Sequence, residues 1–157
     1  MAPPILLDFD TLTQAEPIGG VELVESVNPH RGDMRLLDGI AYADLDAQVF
    51  GAWKDIEPDA FWAAGHIPGR PIFPGVLMIE AAAQLSSYIC LKQLEDKGFM
   101  GFSGVKGAKF RGQVTPGDRL WIVGKQTELK TRRCTCECQG LVNGELVFET
   151  TVQGMFF

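Results

Sequence analysis

The sequence predicts a single α+β domain built on an antiparallel sheet, and three observations carry that prediction. One long, almost wholly apolar helix pattern fills the middle of the chain. About six strand-like segments accompany it, four of them in succession after it. Turns, not linkers, separate these segments, and no repeat or low-complexity tract divides the 157 residues. A globule of this size buries roughly 70% of the surface its unfolded chain exposes, so its core needs neither metal nor disulfide.

Taken in order, residues 1–27 form a weakly patterned amino-terminal extension, with a short helix expected around Asp10 to Ala15. Residues 34–44 and 46–56 mix apolar and aromatic residues with polar ones and read as two strands. Residues 57–73 are punctuated by Pro58, Gly65, Pro68, Gly69 and Pro71 and read as an ordered loop, with a helical turn around Asp59 to Ala64. Pro74 opens the long helix, where a missing N–H costs nothing. The helix is expected to run to about Asp96, with Gly98 as its stop. Strands follow at 102–111, 118–130, 132–141 and 145–156, with a turn at Pro116-Gly117-Asp118.

The last hairpin can be read in more detail. Cys134, Cys136 and Cys138 alternate and share one face; Phe148, Thr150 and Val152 share one face of the next strand. A two-residue Asn143-Gly144 turn would set the cysteines against Glu149, Thr151 and Gln153. A three-residue turn with Gly144 as a bulge sets Cys138 against Phe148 and Cys134 against Val152, and parity favours it.

Composition excludes several functions. The net charge of -6 argues against a general nucleic-acid binder. The longest apolar stretch, near 76–91, is interrupted by Glu80, Gln84 and two serines, so no membrane span is expected. The first residues lack the pattern of a signal peptide, and the expected location is cytoplasmic. An acidic partner would need a local basic patch, and Lys106 to Arg111 or Lys125 to Arg133 could supply one; a solvated strand face is the equal alternative. The four cysteines lack the spacing of common zinc sites and are expected as buried, reduced thiols with no metal.

The chemistry concentrates between Gly65 and Gln84. From Val76 to Leu85 every residue is apolar except Glu80 and Gln84, which are four apart and share a helix face. A helix apolar all round is expected to be buried on most sides. Burying a carboxylate costs several kcal/mol and favours its protonated form, which suits a general acid beside an amide. The alternative is a structural glutamate bonded to backbone or to another chain. His66 sits in a loop stiffened by Pro68, Pro71 and Pro74, which suits a general base, although a lone histidine is more often structural. Its pairing with Glu80 raises the catalytic reading, because titratable groups in unlike environments mark acid–base sites. Gly75 lies in the first helical turn, where bare N–H groups could bind a substrate carbonyl; tight packing explains a glycine there equally well.

These residues closely resemble the signature of the 3-hydroxyacyl-[acyl carrier protein] dehydratases of fatty-acid synthesis. The matching residues are Gly65-His66-Ile67-Pro68-Gly69, Pro74-Gly75-Val76 and Glu80-Ala81-Ala82-Ala83-Gln84, then Lys109-Phe110-Arg111 with Val114, Pro116, Gly117 and Asp118. A weaker match is Pro29-His30-Arg31 followed by Leu36, Leu37 and Asp38, so the resemblance spans about 28–156. It implies a hot-dog fold, a long helix wrapped by the sheet, acting as a homodimer or a trimer of dimers. It further implies that His66 of one subunit faces Glu80 of the other across an acyl tunnel. His66 would take the C2 proton and Glu80 would protonate the departing 3-hydroxyl. The Gly75 N–H would hold the carbonyl, and Gln84 would help Glu80 hold the water. The implied product is a trans-2-enoyl thioester, the partner an acyl carrier protein, and no cofactor or metal is required. Glu80, where the dehydratase-isomerase branch has aspartate, points to the dehydratase-only branch. Ile67 in place of phenylalanine, Gly32-Asp33-Met34-Arg35 in place of apolar residues, and the longer amino terminus depart from the family pattern. His30 matches a family position without a derivable catalytic role, and a structural part is expected for it. Two other functions compete: a hot-dog acyl thioesterase, and a non-catalytic acyl-binding subunit of a heterodimer.

Overall fold

A computed structural model describes residues 1–94 and 98–157. The long helix, α3 (Gly75–Gln93), lies across one face of a six-stranded antiparallel sheet; two short helices, α1 (Phe9–Gln14) and α2 (Val21–Val27), precede it. The strands are β1 (Gly39–Asp44), β2 (Val49–Asp55), β3 (Met100–Phe110), β4 (Arg119–Leu129), β5 (Arg133–Val142) and β6 (Glu145–Phe156), in spatial order β1-β2-β4-β5-β6-β3. This is the helix-in-sheet wrap that the hot-dog expectation describes.

Alternation along the strands divides the sheet into two apolar faces. Ala52, Ile122, Cys136 and Phe148 belong to the core that also takes in Ala81, Ala82, Leu85 and Ile89 of α3. On the other side Ala41, Val49, Val123 and Leu141 are covered by Leu12 and its neighbours in the amino-terminal extension. Phe9 meets Trp121 edge-on at 6.4 Å, and Gln139 latches the arm by accepting from Leu6 N–H and donating to the Pro4 carbonyl. Thus the extension that looked weakly patterned is the cover of the outer face. Its second helix, α2, was not foreseen, because seven residues with a single buried position leave little periodic signal.

Other elements differ from expectation in instructive ways. Residues 34–38 do not begin a strand; a 3-10 turn (Gly32–Met34) and extended chain lead into β1. Pro74 is the cap of α3, and Gly75 is its first helical residue. The helix ends at Gln93, before the expected stop at Gly98; Asp96 lies outside the described residues. Thr115-Pro116-Gly117-Asp118 makes the expected turn, closed by Asp118 N–H to Thr115 O at 3.0 Å with Gly117 at φ +97.

The final hairpin corrects the predicted turn. Val142 pairs with Glu145, so Asn143 and Gly144 form a two-residue turn, both at positive φ (49 and 83), as a type I′ turn requires. The pairing then shifts: Leu141 faces Leu146 but Gly140 faces Phe148, leaving Val147 as an extra residue on β6. That bulge restores the parity the three-residue turn was invoked to explain. Cys138 consequently faces Thr150, and Cys136 faces Val152.

All four cysteines are buried, and three share the core face of β5 as expected. Cys90 and Cys134, however, are joined in a disulfide, which corrects the expectation of four thiols. The reason is tertiary: α3 carries Cys90 over β5, a juxtaposition invisible at a separation of 44 residues. The sulfurs of Cys90, Cys134 and Cys136 lie within 4.8 Å of one another, and the bond commits two of the three. Burial pushes the Cys136 thiol from its ordinary 9.0 to about 11, against a hydrogen bond from Ser86 that favours the thiolate.

Candidate active site

The loop before α3 is pinned by its own backbone. His66 N–H donates to Trp62 O (2.8 Å), and Ile72 N–H donates to His66 O (2.9 Å). Ile67 and Arg70 exchange two bonds across Pro68-Gly69, with Gly69 at φ +76, the geometry of a tight proline–glycine turn. The His66–Ile67 peptide is cis. Phe73 N–H reaches Val114 O (2.7 Å), and the guanidinium of Arg70 reaches Gln113 (3.3 Å), so the loop leans on residues 113–114. Those residues follow Arg111 and Gly112, whose N–H groups both donate to the carbonyl of the bulge residue Val147.

Within this frame His66 Nδ1 lies 2.8 Å from Ile72 O. A carbonyl only accepts, so the bond assigns the ring proton to Nδ1 and leaves Nε2 as a lone-pair base. The side chain is exposed, as is that of the next residue, Ile67.

Glu80 is less buried than expected: its side chain keeps 27% of its accessibility in the single chain. Val76, on the first turn of α3, is 71% exposed, so the helix is not covered all round. Gln84 lies four residues on, as expected, and its Nε2 donates to Glu80 Oε1 at 3.0 Å. Its other bonds reach the 28–36 segment. Nε2 also donates to Met34 O (2.7 Å), and Oε1 accepts from Leu36 N–H (2.9 Å). Both amide N–H donors are therefore spent, and the residue is 1% exposed, so it orients Glu80 and docks the 28–36 segment. Asn28 Nδ2 adds to that docking by donating to Gln84 O (2.8 Å).

The residue that sequence reasoning assigned only a structural part is His30. Its Nε2 lies 3.5 Å from Glu80 Oε1, and both side chains line a cavity of about 210 Å³ together with Ala83, Ser87, Phe102 and Val152. The Pro29-His30-Arg31 match was the available signal; what it lacked was the fold of residues 28–36 onto α3. Conversely, His66 is neither a hydrogen-bond partner of Glu80 nor part of this cavity. One chain does not bring the two predicted catalytic groups together.

Gly75 N–H, at the first position of α3, has no backbone acceptor among the described residues. A Cβ there would lie 2.8 Å from the ring of Phe110, so packing also asks for glycine. Of the basic segments, Arg111 is committed to Glu149 (2.8 Å), holding that carboxylate below its usual range, and Lys130 and Arg133 pair with Glu128. Lys106 and Lys109 stay exposed and make no salt bridge among the described residues.

Known proteins resemble this chain in sequence and in fold. A family model described as a FabA-like domain matches residues 28–151. The 3-hydroxyacyl-[acyl-carrier-protein] dehydratase FabZ of Alkaliphilus metalliredigens is 37% identical over 124 residues, covering 78% of this chain and 84% of that one. The bifunctional enzyme LpxC/FabZ of Chlorobaculum tepidum is 33% identical over 141 residues, 88% of this chain; the match spans only 30% of that longer protein. Among solved structures, the dehydratase heterocomplex ApeI:P from Xenorhabdus doucetiae superposes with a TM-score of 0.73 at 15% identity, covering 85% of this chain and 90% of that one. At that identity the likeness speaks for the fold alone.

Proposed function

The chain belongs to the FabA-like family, and on that premise we propose that it is a 3-hydroxyacyl-[acyl carrier protein] dehydratase with His66 as general base and Glu80 as general acid. The observation that carries the reading is the Nδ1 bond of His66 to Ile72 O, which leaves an exposed Nε2 lone pair on a rigid loop. Such a nitrogen can take the C2 proton of a 3-hydroxyacyl thioester. Glu80, oriented by Gln84, returns a proton to the leaving 3-hydroxyl, so water departs and a trans-2-enoyl thioester remains. The Gly75 N–H supports charge on the thioester carbonyl. Acyl carrier protein delivers the chain, with Lys106 and Lys109 available to an acidic partner. No cofactor takes part, and the working location is the cytoplasm; no helix among the described residues is long and apolar enough to cross a membrane.

The separation of His66 from Glu80 within one chain supports a site shared by two copies. β3 is an 11-residue edge strand with Phe102, Val105 and Phe110 exposed, flanked by exposed Phe99 and Val76. An edge of that length and apolarity calls for a cover. A second copy paired along it would form a closed two-fold dimer and bring His66 of each chain toward Glu80 of the other.

The test is turnover of a 3-hydroxyacyl thioester followed by enoyl absorbance and by free thiol. Enoyl product without thiol supports dehydration, whereas thiol release means thioesterase. His66→Ala and Glu80→Gln should fold normally and each lose about 10²-fold or more in kcat. Wild-type turnover in either variant refutes the assignment of that residue. An inert homodimer that gains activity with a second, different chain would favour a heterodimer subunit.

A further inference from the structure

We propose that His30 is a positioning residue that keeps Glu80 Oε1 an acceptor and so leaves Oε2 to carry the transferable proton. This rests on Glu80 being the general acid, and it gives a part to a residue for which the family motif supplied none. The inference has three supports. His30 Nε2 lies 3.5 Å from Glu80 Oε1, the same oxygen that Gln84 Nε2 reaches at 3.0 Å. His30 Nδ1 is buried and has no hydrogen-bond partner among the described residues. A proton there would be a buried donor without an acceptor, so the favoured neutral ring carries its proton on Nε2, facing Glu80. Finally, the ring is bracketed by anchors on either side: Asn28 Nδ2 bonds Gln84 O, and Arg31 Nη1 bonds Asn28 O and His30 O.

Gln84 donates to Oε1 and His30 Nε2 faces the same oxygen, so Oε1 is the accepting oxygen and the acidic proton belongs on the other. That removes a choice of two proton positions before substrate arrives. At 3.5 Å the His30 contact is longer than a strong N–H···O bond, and contacts in unliganded sites commonly tighten on substrate binding. The other groups facing Glu80 carry no charge: Gln84, Ala83 and Ser87 of α3, Phe99 before β3, Met100 and Phe102 of β3, and Val152, Gln153 and Gly154 of β6. Glu25 and Arg31 pair with each other nearby, at 3.9 Å, and His66 of a second copy would be the remaining titratable neighbour.

The test compares H30Q, H30N and H30A with E80Q in the purified protein, measuring kcat, KM and thermal melting. Glutamine can place an amide N–H where Nε2 stood; asparagine cannot reach. H30Q should keep turnover within about threefold, while H30N and H30A lose roughly tenfold to a hundredfold in kcat with little change in KM. Equal turnover in H30Q and H30N, or a loss in H30N that falls on KM instead of kcat, overturns the proposal whether or not H30A folds. E80Q with wild-type turnover overturns the acid assignment and this inference with it. An inactive E80Q beside fully active H30N and H30A overturns the role of His30 alone.

Discussion

Gln84→Leu is the most informative single substitution that the structure suggests, because leucine matches the size of glutamine while removing its bonds. Three contacts disappear: to Leu36 N–H, Met34 O and Glu80 Oε1. The Leu36 N–H is buried, and stranding it costs about 1–3 kcal/mol. The Met34 carbonyl is only part-buried, so water replaces much of its bond, at a further cost of about 0.5–1.5 kcal/mol. A destabilisation of about 1.5–4.5 kcal/mol follows, a large share of the ~5–15 kcal/mol typical of a domain. For a chain of this length it corresponds to a fall in melting temperature of about 3–18 °C. Urea denaturation should show a lower midpoint with an unchanged slope. Below the new melting temperature kcat should also fall, since Glu80 loses its firmest donor. A melting temperature within about 1 °C of wild type, together with normal turnover, refutes the argument that this amide docks the 28–36 segment.

Two further outcomes follow from the geometry. The Cys136 thiol titrates near 11 when folded and near 9.0 when free, so the native state holds its proton longer. Its stabilising effect is complete below pH 9 and disappears as pH rises toward 11, up to about 2–3 kcal/mol; urea melts across that range should fall less steeply for Cys136→Ala. Gly75→Ala should press on the Phe110 ring and cost about 1–3 kcal/mol, with Phe110→Ala relieving the strain. If turnover stays low in the relieved double variant, the bare glycine serves the substrate, while full recovery in melting and kinetics means that it serves packing alone.

What the sequence made legible was whatever depends on local periodicity. The α3 pattern, the Glu80–Gln84 pairing, the Pro68-Gly69 and Pro116-Gly117 turns and the shared face of three cysteines all follow from spacing within one element. The hairpin turn departs from expectation because parity need not be satisfied at the turn itself. In the structure Asn143-Gly144 follows its own backbone preference, and the parity is repaired at Val147. The Cys90–Cys134 bond and the His30–Glu80 contact escaped for a different reason: each joins segments 44 and 50 residues apart, respectively, and exists only once the chain has packed. His66 and Glu80 are legible as residue types in a motif, but one chain holds them apart, and the proposed meeting across two copies is nothing that single-chain periodicity encodes.

The unpaired residue at Val147 ties the last hairpin to the His66 loop. Its carbonyl serves two amides, those of Arg111 and Gly112, and the stretch they begin carries the Val114 carbonyl and the Gln113 amide on which the histidine loop rests. Removing Val147 would leave Gly140 facing Phe148 in a regular ladder, with Phe148, Thr150 and Val152 still inward, but it would withdraw the double acceptor. The His66 loop would then lose support from another strand, without any change to the loop itself. Substitution leaves that support in place where deletion removes it, because the backbone carbonyl, not the side chain, does the holding.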